Sequence, residues 1–176
     1  FIGCSVESVS KLTFLHDQII KLSLFKSNLK DLKDIDKVFH SATDSGSRNW
    51  EILKTLEVVN GNILNINKFP VCFESVGNID LRNNSIVAAD FTDFKRIFSL
   101  NLSCNNLLSV PTFYSLAKTT LTVLVLSNNQ LKNLRGIEYL ESLKILYLCD
   151  NFLLNIENMT ELNALSSLTE LKLSRN

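Results

Sequence analysis

The residues best suited to nucleophilic or metal chemistry are few and scattered in this chain. The sequence contains two histidines and four cysteines, which are His16, His40, Cys4, Cys72, Cys104 and Cys149. Catalysis needs a nucleophile, a base or a metal cluster held together in a pocket, and zinc sites usually contain a close Cys-x-x-Cys pair. That spacing does not occur, and neither does a phosphate-binding loop or a Gly-x-Ser-x-Gly motif. The sequence therefore predicts no enzyme, no catalytic residue, no cofactor and no metal ligand.

Asparagine is predicted to have a structural role instead, because it recurs at one position of a repeated pattern. Apolar residues occupy relative positions 1, 4, 6 and 11, and asparagine usually occupies position 9; the copies begin near residues 19, 53, 76, 97, 121, 143 and 168. This is the leucine-rich-repeat pattern. An amide at position 9 can bond backbone groups that a tight turn leaves inside the core. We predict this role for Asn84, Asn105, Asn129, Asn151 and Asn176, whereas Asn128 at position 8 should point to solvent and tolerate alanine.

The first two copies depart from the pattern. Ser27 and Gly61 stand at position 9, and an asparagine follows one residue later in each copy. The first interval is 34 residues, whereas the others range from 21 to 25. Residues 34–49 therefore form an insertion. Two interpretations stay open, a tolerated surface loop and a mobile element with serine and threonine side chains for phosphorylation or partner contact.

The repeats predict an α/β fold, a leucine-rich-repeat solenoid that forms a curved horseshoe segment. Strand side chains alternate, so positions 4 and 6 face the core and positions 3, 5 and 7 face the concave side of a parallel sheet. Short helices, 3₁₀ turns or coil are expected on the convex side, where Ile137 and Leu140 return to the core. We predict a single domain over 1–176, with 1–18 as a cap or degenerate repeat. No C-terminal cap is recognisable, which suggests a monomeric segment of a larger chain.

The outward columns predict where a partner binds. Repeats five and six place Val123, Val125, Ile145 and Tyr147 together on adjacent strands, about 4.8 Å apart. A contiguous apolar cluster of this kind is typical of an interaction site. Repeats two and three present charged side chains instead. The predicted partner-binding residues are Val123, Val125, Ile145, Tyr147, Glu57, Asp80, Arg82, Asn101 and Lys172.

The composition limits which classes of partner and which cellular location we expect. The 18 basic residues balance the 18 acidic ones, which argues against attraction to nucleic acid or to an anionic membrane. No apolar run approaches the roughly 18 residues of a membrane helix, so no membrane insertion is expected. The sequence shows no cysteine-rich extracellular cap, and we predict a cytoplasmic location. Three glycosylation acceptor patterns, at Asn83, Asn101 and Asn158, are attributed to chance in an asparagine-rich chain.

One family shares the arrangement of the repeats over about residues 19–176. The features are the long first interval, Trp50 before repeat two, the run from Leu121 to Leu131, and the Asn151-Phe-Leu-Leu154 ending. The region resembles that of the serine/threonine kinase 11-interacting protein and its relative nischarin, although the early repeats depart from that family. The resemblance implies a cytosolic scaffold that binds a Ser/Thr kinase or another signalling protein and is recruited to endosomal or lysosomal membranes by the parent protein. It transfers no catalytic residue.

The function predicted from these observations is a non-catalytic protein-interaction scaffold. Two alternatives stay open. A targeting or regulatory subunit of a protein phosphatase would copurify with a catalytic subunit. A secreted recognition domain would carry glycans on the acceptor asparagines.

Overall fold

The computed structural model describes residues 19–30, 32, 52–67, 73, 75–92, 94, 96–113, 120–154 and 156–176. The described part contains ten short strands: β1 (Lys21–Phe25), β2 (Thr55–Val59), β3 (Asn65–Ile66), β4 (Asn78–Asp80), β5 (Ala88–Phe91), β6 (Ser99–Asn101), β7 (Thr112–Phe113), β8 (Val123–Val125), β9 (Ile145–Tyr147) and β10 (Glu170–Lys172).

Seven of these strands form one parallel sheet in the order β1-β2-β4-β6-β8-β9-β10. Each strand begins two residues after a predicted repeat start, and the register aligns equal repeat positions. For example, Leu100 of β6 pairs with Leu124 of β8, which pairs with Leu146 of β9. The predicted solenoid with a parallel concave sheet is therefore confirmed.

The core is built from the inward column of each strand. In the first six repeats every residue at positions 4 and 6 is at most 2% exposed. The seventh repeat is more open, since Leu171 is 39% exposed. Among the described strands β10 has a neighbour on one side only, so its inward side chains are stacked on one side alone. Solenoid stability depends on such nearest-neighbour stacking.

The convex side differs between the two halves of the sheet. After β8, a 3₁₀ helix at Ile137–Tyr139 buries Ile137 and Leu140, as predicted, and a second 3₁₀ helix spans Ile156–Ala164. In repeats two to four, however, β3, β5 and β7 form a second parallel sheet that the sequence did not indicate. These strands are two to four residues long, which is too short for alternation to be told from coil.

The predicted asparagine ladder is confirmed by its hydrogen bonds. Oδ1 of Asn129 accepts the N–H of Leu107 at 3.0 Å, and Nδ2 donates to the carbonyls of Leu102 and Leu126 at 2.9 and 3.0 Å. The corresponding three bonds form at the other position-9 asparagines, which are Asn84, Asn105, Asn151 and the more exposed Asn176. The ladder therefore ties each of repeats three to seven to the repeat before it.

The ladder stops at repeats one and two. Ser27 is buried, and its hydroxyl oxygen has no hydrogen-bond partner among the described residues. Gly61 leaves no room for a larger residue, because a Cβ there would lie 2.7 Å from Oδ1 of Asn84. The asparagines one place later, Asn28 and Asn62, form an exposed side-chain pair at 3.0 Å. They do not replace the missing amides.

Every repeat turns through a left-handed residue at position 8. Seven described residues other than glycine have positive φ, from 51° to 57°: Lys26, Asn60, Asn83, Cys104, Asn128, Asp150 and Arg175. Asparagine and aspartate enter this conformation more readily than other residues. The expectation that Asn128 tolerates alanine is therefore wrong in part, since alanine would be strained there even though the side chain is exposed.

Several predictions lie outside the described residues. They concern 1–18, the insertion at 34–49, Trp50 and both histidines. Among the residues that are described, no helix has the length and apolar character needed to cross a membrane.

Candidate partner-binding face

The outward columns of the parallel sheet carry all nine predicted site residues. Position 5 aligns Asn101 with Val125 and Tyr147, and position 3 aligns Val123 with Ile145. We call Val123, Val125, Ile145 and Tyr147 the concave apolar patch. All four side chains are half-buried, so the patch is contiguous and still accessible. One residue of the position-7 column is not accessible: Val59, in register with Phe25, is only 3% exposed.

Tyr147 is held in place by the next strand. Its hydroxyl donates to Oε1 of Glu170 at 2.7 Å, and Nζ of Lys172 lies 3.9 Å from the ring centroid. Lys172 also pairs with Glu170 at 3.3 Å. The bond from Tyr147, followed by the one from Lys172, lowers the pKa of the Glu170 carboxyl. Lys172 therefore borders the patch as predicted, whereas Glu170 is a residue that the sequence did not single out.

Glu57, on β2, lies in the charged part of the same face. Its Oε1 lies 2.5 Å from Nζ of Lys21, and its Oε2 accepts from Oγ of Ser23 at 2.7 Å. Partial burial opposes ionisation of Glu57, but the bonds from Lys21 and Ser23 outweigh it and lower the pKa of the carboxyl. The carboxylate is therefore already engaged inside the domain.

Asp80 and Arg82 form a second charged pair in the next repeat. The N–H of Arg82 donates to Oδ1 of Asp80 at 3.1 Å, and Nε lies 3.6 Å from Oδ2. Burial raises the pKa of Asp80 despite these contacts with Arg82. Oδ1 of Asn101, between the charged and apolar parts, accepts from the N–H and hydroxyl of Ser103 at 3.0 and 2.7 Å. The predicted zoning of the face is therefore seen in the structure.

The two described cysteines have different surroundings. Cys149 is half-buried, and its Sγ accepts from Oγ of Ser174 at 3.2 Å. That bond lowers the pKa of the thiol. Cys104 is exposed, because it occupies the left-handed turn position. The part of the chain that the structure describes holds no group of three or more histidine, cysteine or acidic side chains placed to bind a metal ion.

A basic cavity lies where the strands of repeats two to four begin. Its volume is about 220 Å³, and it is lined by Lys54, Ser75, Gly77, Asn78, Arg96 and Phe98. The repeat pattern did not indicate it, because the lining residues other than Asn78 precede the strands and lie outside the outward columns. The one signal in the sequence was Phe98, an aromatic residue at position 2. In the structure this residue is 40% exposed.

The stacked parallel strands, inward leucines and asparagine ladder define a leucine-rich-repeat region. No protein-family model matches the chain. It is similar to an uncharacterized leucine-rich repeat-containing protein of Schizosaccharomyces pombe, with 30% identity over 105 residues that cover 58% of this chain and 17% of that protein. The chain thus spans only a small part of this relative.

Solved structures with the same fold have low sequence identity. An internalin, inlF, from Listeria monocytogenes superposes with a TM-score of 0.62 at 20% identity, covering 95% of this chain and 51% of that one. The LRIM1/APL1C complex gives 0.61 at 17% identity, covering 90% and 26%. These likenesses show the leucine-rich-repeat fold. The resemblance to the kinase 11-interacting protein and nischarin family stays a prediction.

Proposed function

We propose that this region is a non-catalytic protein-interaction module, which binds a protein partner through the concave apolar patch. The observation that carries the proposal is the register of β8 and β9. It places Val123 beside Ile145 and Val125 beside Tyr147 on the outward face. Apolar side chains on that face contribute little to the core, whereas a partner that covered them would remove their surface from water.

The surroundings of the patch match the usual organisation of an interface. An apolar centre with an aromatic residue and a polar rim is typical of protein–protein contacts. Tyr147 supplies the aromatic residue, and its bonds to Glu170 and Lys172 hold the ring before a partner arrives. A preordered side chain loses less conformational entropy on binding. Asn101 and Lys172 supply the polar rim.

The finer parts of the proposal concern the partner and the compartment. A signalling scaffold with a Ser/Thr kinase as partner, located in the cytoplasm, is what the family resemblance implies. It is the first partner class to test. The zoned face is compatible with one partner that touches both the apolar patch and the pairs at Glu57 and Asp80.

Partner capture with matched variants tests the proposal. The double variant Val125→Ala/Tyr147→Ala should lose partners that the wild-type protein retains, and each partner's affinity for Tyr147→Ala should fall about 30-fold, or about 2 kcal/mol. Phe152→Ala is the control, since Phe152 is 52% exposed and lies outside the sheet. A photo-crosslinking side chain at position 145 should label the same partners.

Stability measurements separate binding from folding. The hydrogen bond and the cation–π contact of the Tyr147 side chain are to exposed charged groups, and position 5 points away from the core, so its replacement should change the free energy of unfolding by less than about 1 kcal/mol. If the double variant keeps every partner, or if Tyr147→Ala unfolds the domain, the concave apolar patch is not the binding site.

A further inference from the structure

The basic cavity combines two cations with an aromatic ring. The guanidinium carbon of Arg96 lies 5.5 Å from the centroid of the Phe98 ring. A cation above an aromatic face is attracted by the ring quadrupole, so Arg96 is positioned without a carboxylate. Among the described residues neither Arg96 nor Lys54 forms a salt bridge. The two positive charges are therefore available to an anion from outside.

The walls of the cavity are fixed by backbone contacts. The carbonyl of Lys54 accepts from the N–H groups of Gly77 and Asn78 at 3.1 and 3.0 Å. The N–H of Phe98 donates to the carbonyl of Gly77 at 2.7 Å. The Phe98 ring packs directly on Gly77, where a Cβ would come within 2.5 Å of a ring carbon. Glycine at 77 is thus required for the ring to lie where it does.

The size and charge of the cavity indicate what it binds. Its volume of about 220 Å³ is below the roughly 300–1,000 Å³ typical of small-molecule sites, which suits one side chain of a partner. An extended polyanion is disfavoured, because the neighbouring face carries Glu57 and Asp80 and the chain has no net charge. A single carboxylate matches the cavity in size and sign and carries less charge into this repulsion.

The cavity adjoins the concave apolar patch. The carbonyl of Phe98 accepts from the N–H groups of Thr122 and Val123 at 2.9 and 3.1 Å. Val123 is the first member of the patch. Its strand, β8, lies about 4.8 Å from β6, the strand that follows Phe98. A short peptide segment can therefore place apolar side chains on the patch and an acidic side chain in the cavity at the same time.

We infer that the partner contributes a segment in which an aspartate or glutamate lies next to apolar residues, and that its carboxylate binds between Lys54 and Arg96. This inference rests on the proposed function and specifies the chemistry of the segment that it recognises. Charge-assisted hydrogen bonds from a guanidinium and an ammonium supply the specificity.

A peptide selection tests the inference without knowledge of the natural partner. A phage-displayed random peptide library is selected on the whole chain, and the affinity of an enriched peptide is measured by fluorescence anisotropy. We expect enrichment of Asp or Glu beside apolar residues. The double variant Lys54→Gln/Arg96→Gln should bind the peptide about tenfold more weakly. Lys144→Gln, an exposed cation at position 2 of repeat six and outside the cavity, is the matched control and should bind normally.

A double-mutant cycle makes the result specific. Replacing the acidic residue of the peptide by its amide should weaken binding to the wild-type protein and have almost no further effect on the double variant. Selected peptides without acidic enrichment, no selected peptide, or equal affinity for the double variant would overturn the inference. Peptides that depend on Tyr147 but not on Lys54 and Arg96 would leave the proposed function standing, whereas peptides sensitive to neither would contradict both.

Discussion

Asn129→Ala is expected to destabilise the domain by about 2–6 kcal/mol, because this side chain bonds three backbone groups inside the core. The residue is 6% exposed. Its loss leaves the N–H of Leu107 without the 3.0 Å bond that it donates to Oδ1. An unpaired buried donor costs about 1–3 kcal/mol.

The loss of the bonds to the carbonyls of Leu102 and Leu126 costs less free energy, because each carbonyl has a second hydrogen-bond donor. The carbonyl of Leu102 also accepts from Asn105 at 3.0 Å, and that of Leu126 also accepts from Asn151 at 3.0 Å. Each lost bond at these carbonyls then costs the ordinary net value of about 0.5–1.5 kcal/mol. Together with the cost at Leu107, the expected loss is about 2–6 kcal/mol.

Asn128 provides the control next in sequence. Its φ of 56° is left-handed, and its side chain is exposed. Asn128→Gly removes the side chain without strain and should change stability by less than about 0.5 kcal/mol, whereas Asn128→Ala should cost about 1 kcal/mol through its backbone. Urea unfolding followed by circular dichroism measures all three variants, and hydrogen exchange at the Leu107 amide reports the lost bond directly. Asn129 does not hold the buried turn if Asn128→Ala is as damaging as Asn129→Ala, or if exchange at the Leu107 amide is unchanged in Asn129→Ala.

Two further predictions concern the core and the charged part of the face. Leu146→Ala should cost about 2–5 kcal/mol, because Leu146 is fully buried between two strands. Leu171→Ala should cost clearly less, since Leu171 is 39% exposed. Equal losses in urea unfolding would show that the inward register is wrong. Glu57 has a lowered pKa in the folded state, so its ionised form adds stability above its unfolded pKa, and that stability is lost as the pH falls through the folded pKa. The wild-type protein should therefore lose more stability between about pH 7 and pH 3 than Glu57→Gln does in urea titrations at both values; an identical loss would contradict the role of the Lys21 and Ser23 bonds.

The spacing of apolar residues was enough to predict the repeats, the strands and the faces of their side chains. Strand side chains alternate with a period of two, so Leu124 and Leu126 must share one face and Val123 and Val125 the other. Equal repeat positions stack in register, because the asparagine of one repeat bonds the repeat before it. The adjacency of Val125 and Tyr147 therefore followed from local pattern alone.

Other features depend on contacts between repeats that the pattern does not specify. The cation of Lys172 lies over Tyr147, although 25 residues of sequence separate them, because β10 stacks beside β9. The basic cavity likewise joins Lys54 with Arg96, which belong to different repeats. The sequence restricts each side chain to a face, but its rotamer and its partner depend on which side chains the neighbouring repeats bring within reach.

The backbone conformation of the turns and of the convex side also depends on the neighbouring repeats and not on local sequence alone. Position 8 is left-handed even where the residue is Lys26, Cys104 or Arg175, because the repeat geometry imposes that conformation against local preference. The second sheet also forms from segments with weak strand signals, and Phe91 stacks on Phe113 there at 5.9 Å between ring centroids. Local sequence determined the inward and outward order of the chain, and stacking between repeats decided the conformations and side-chain contacts at its surface.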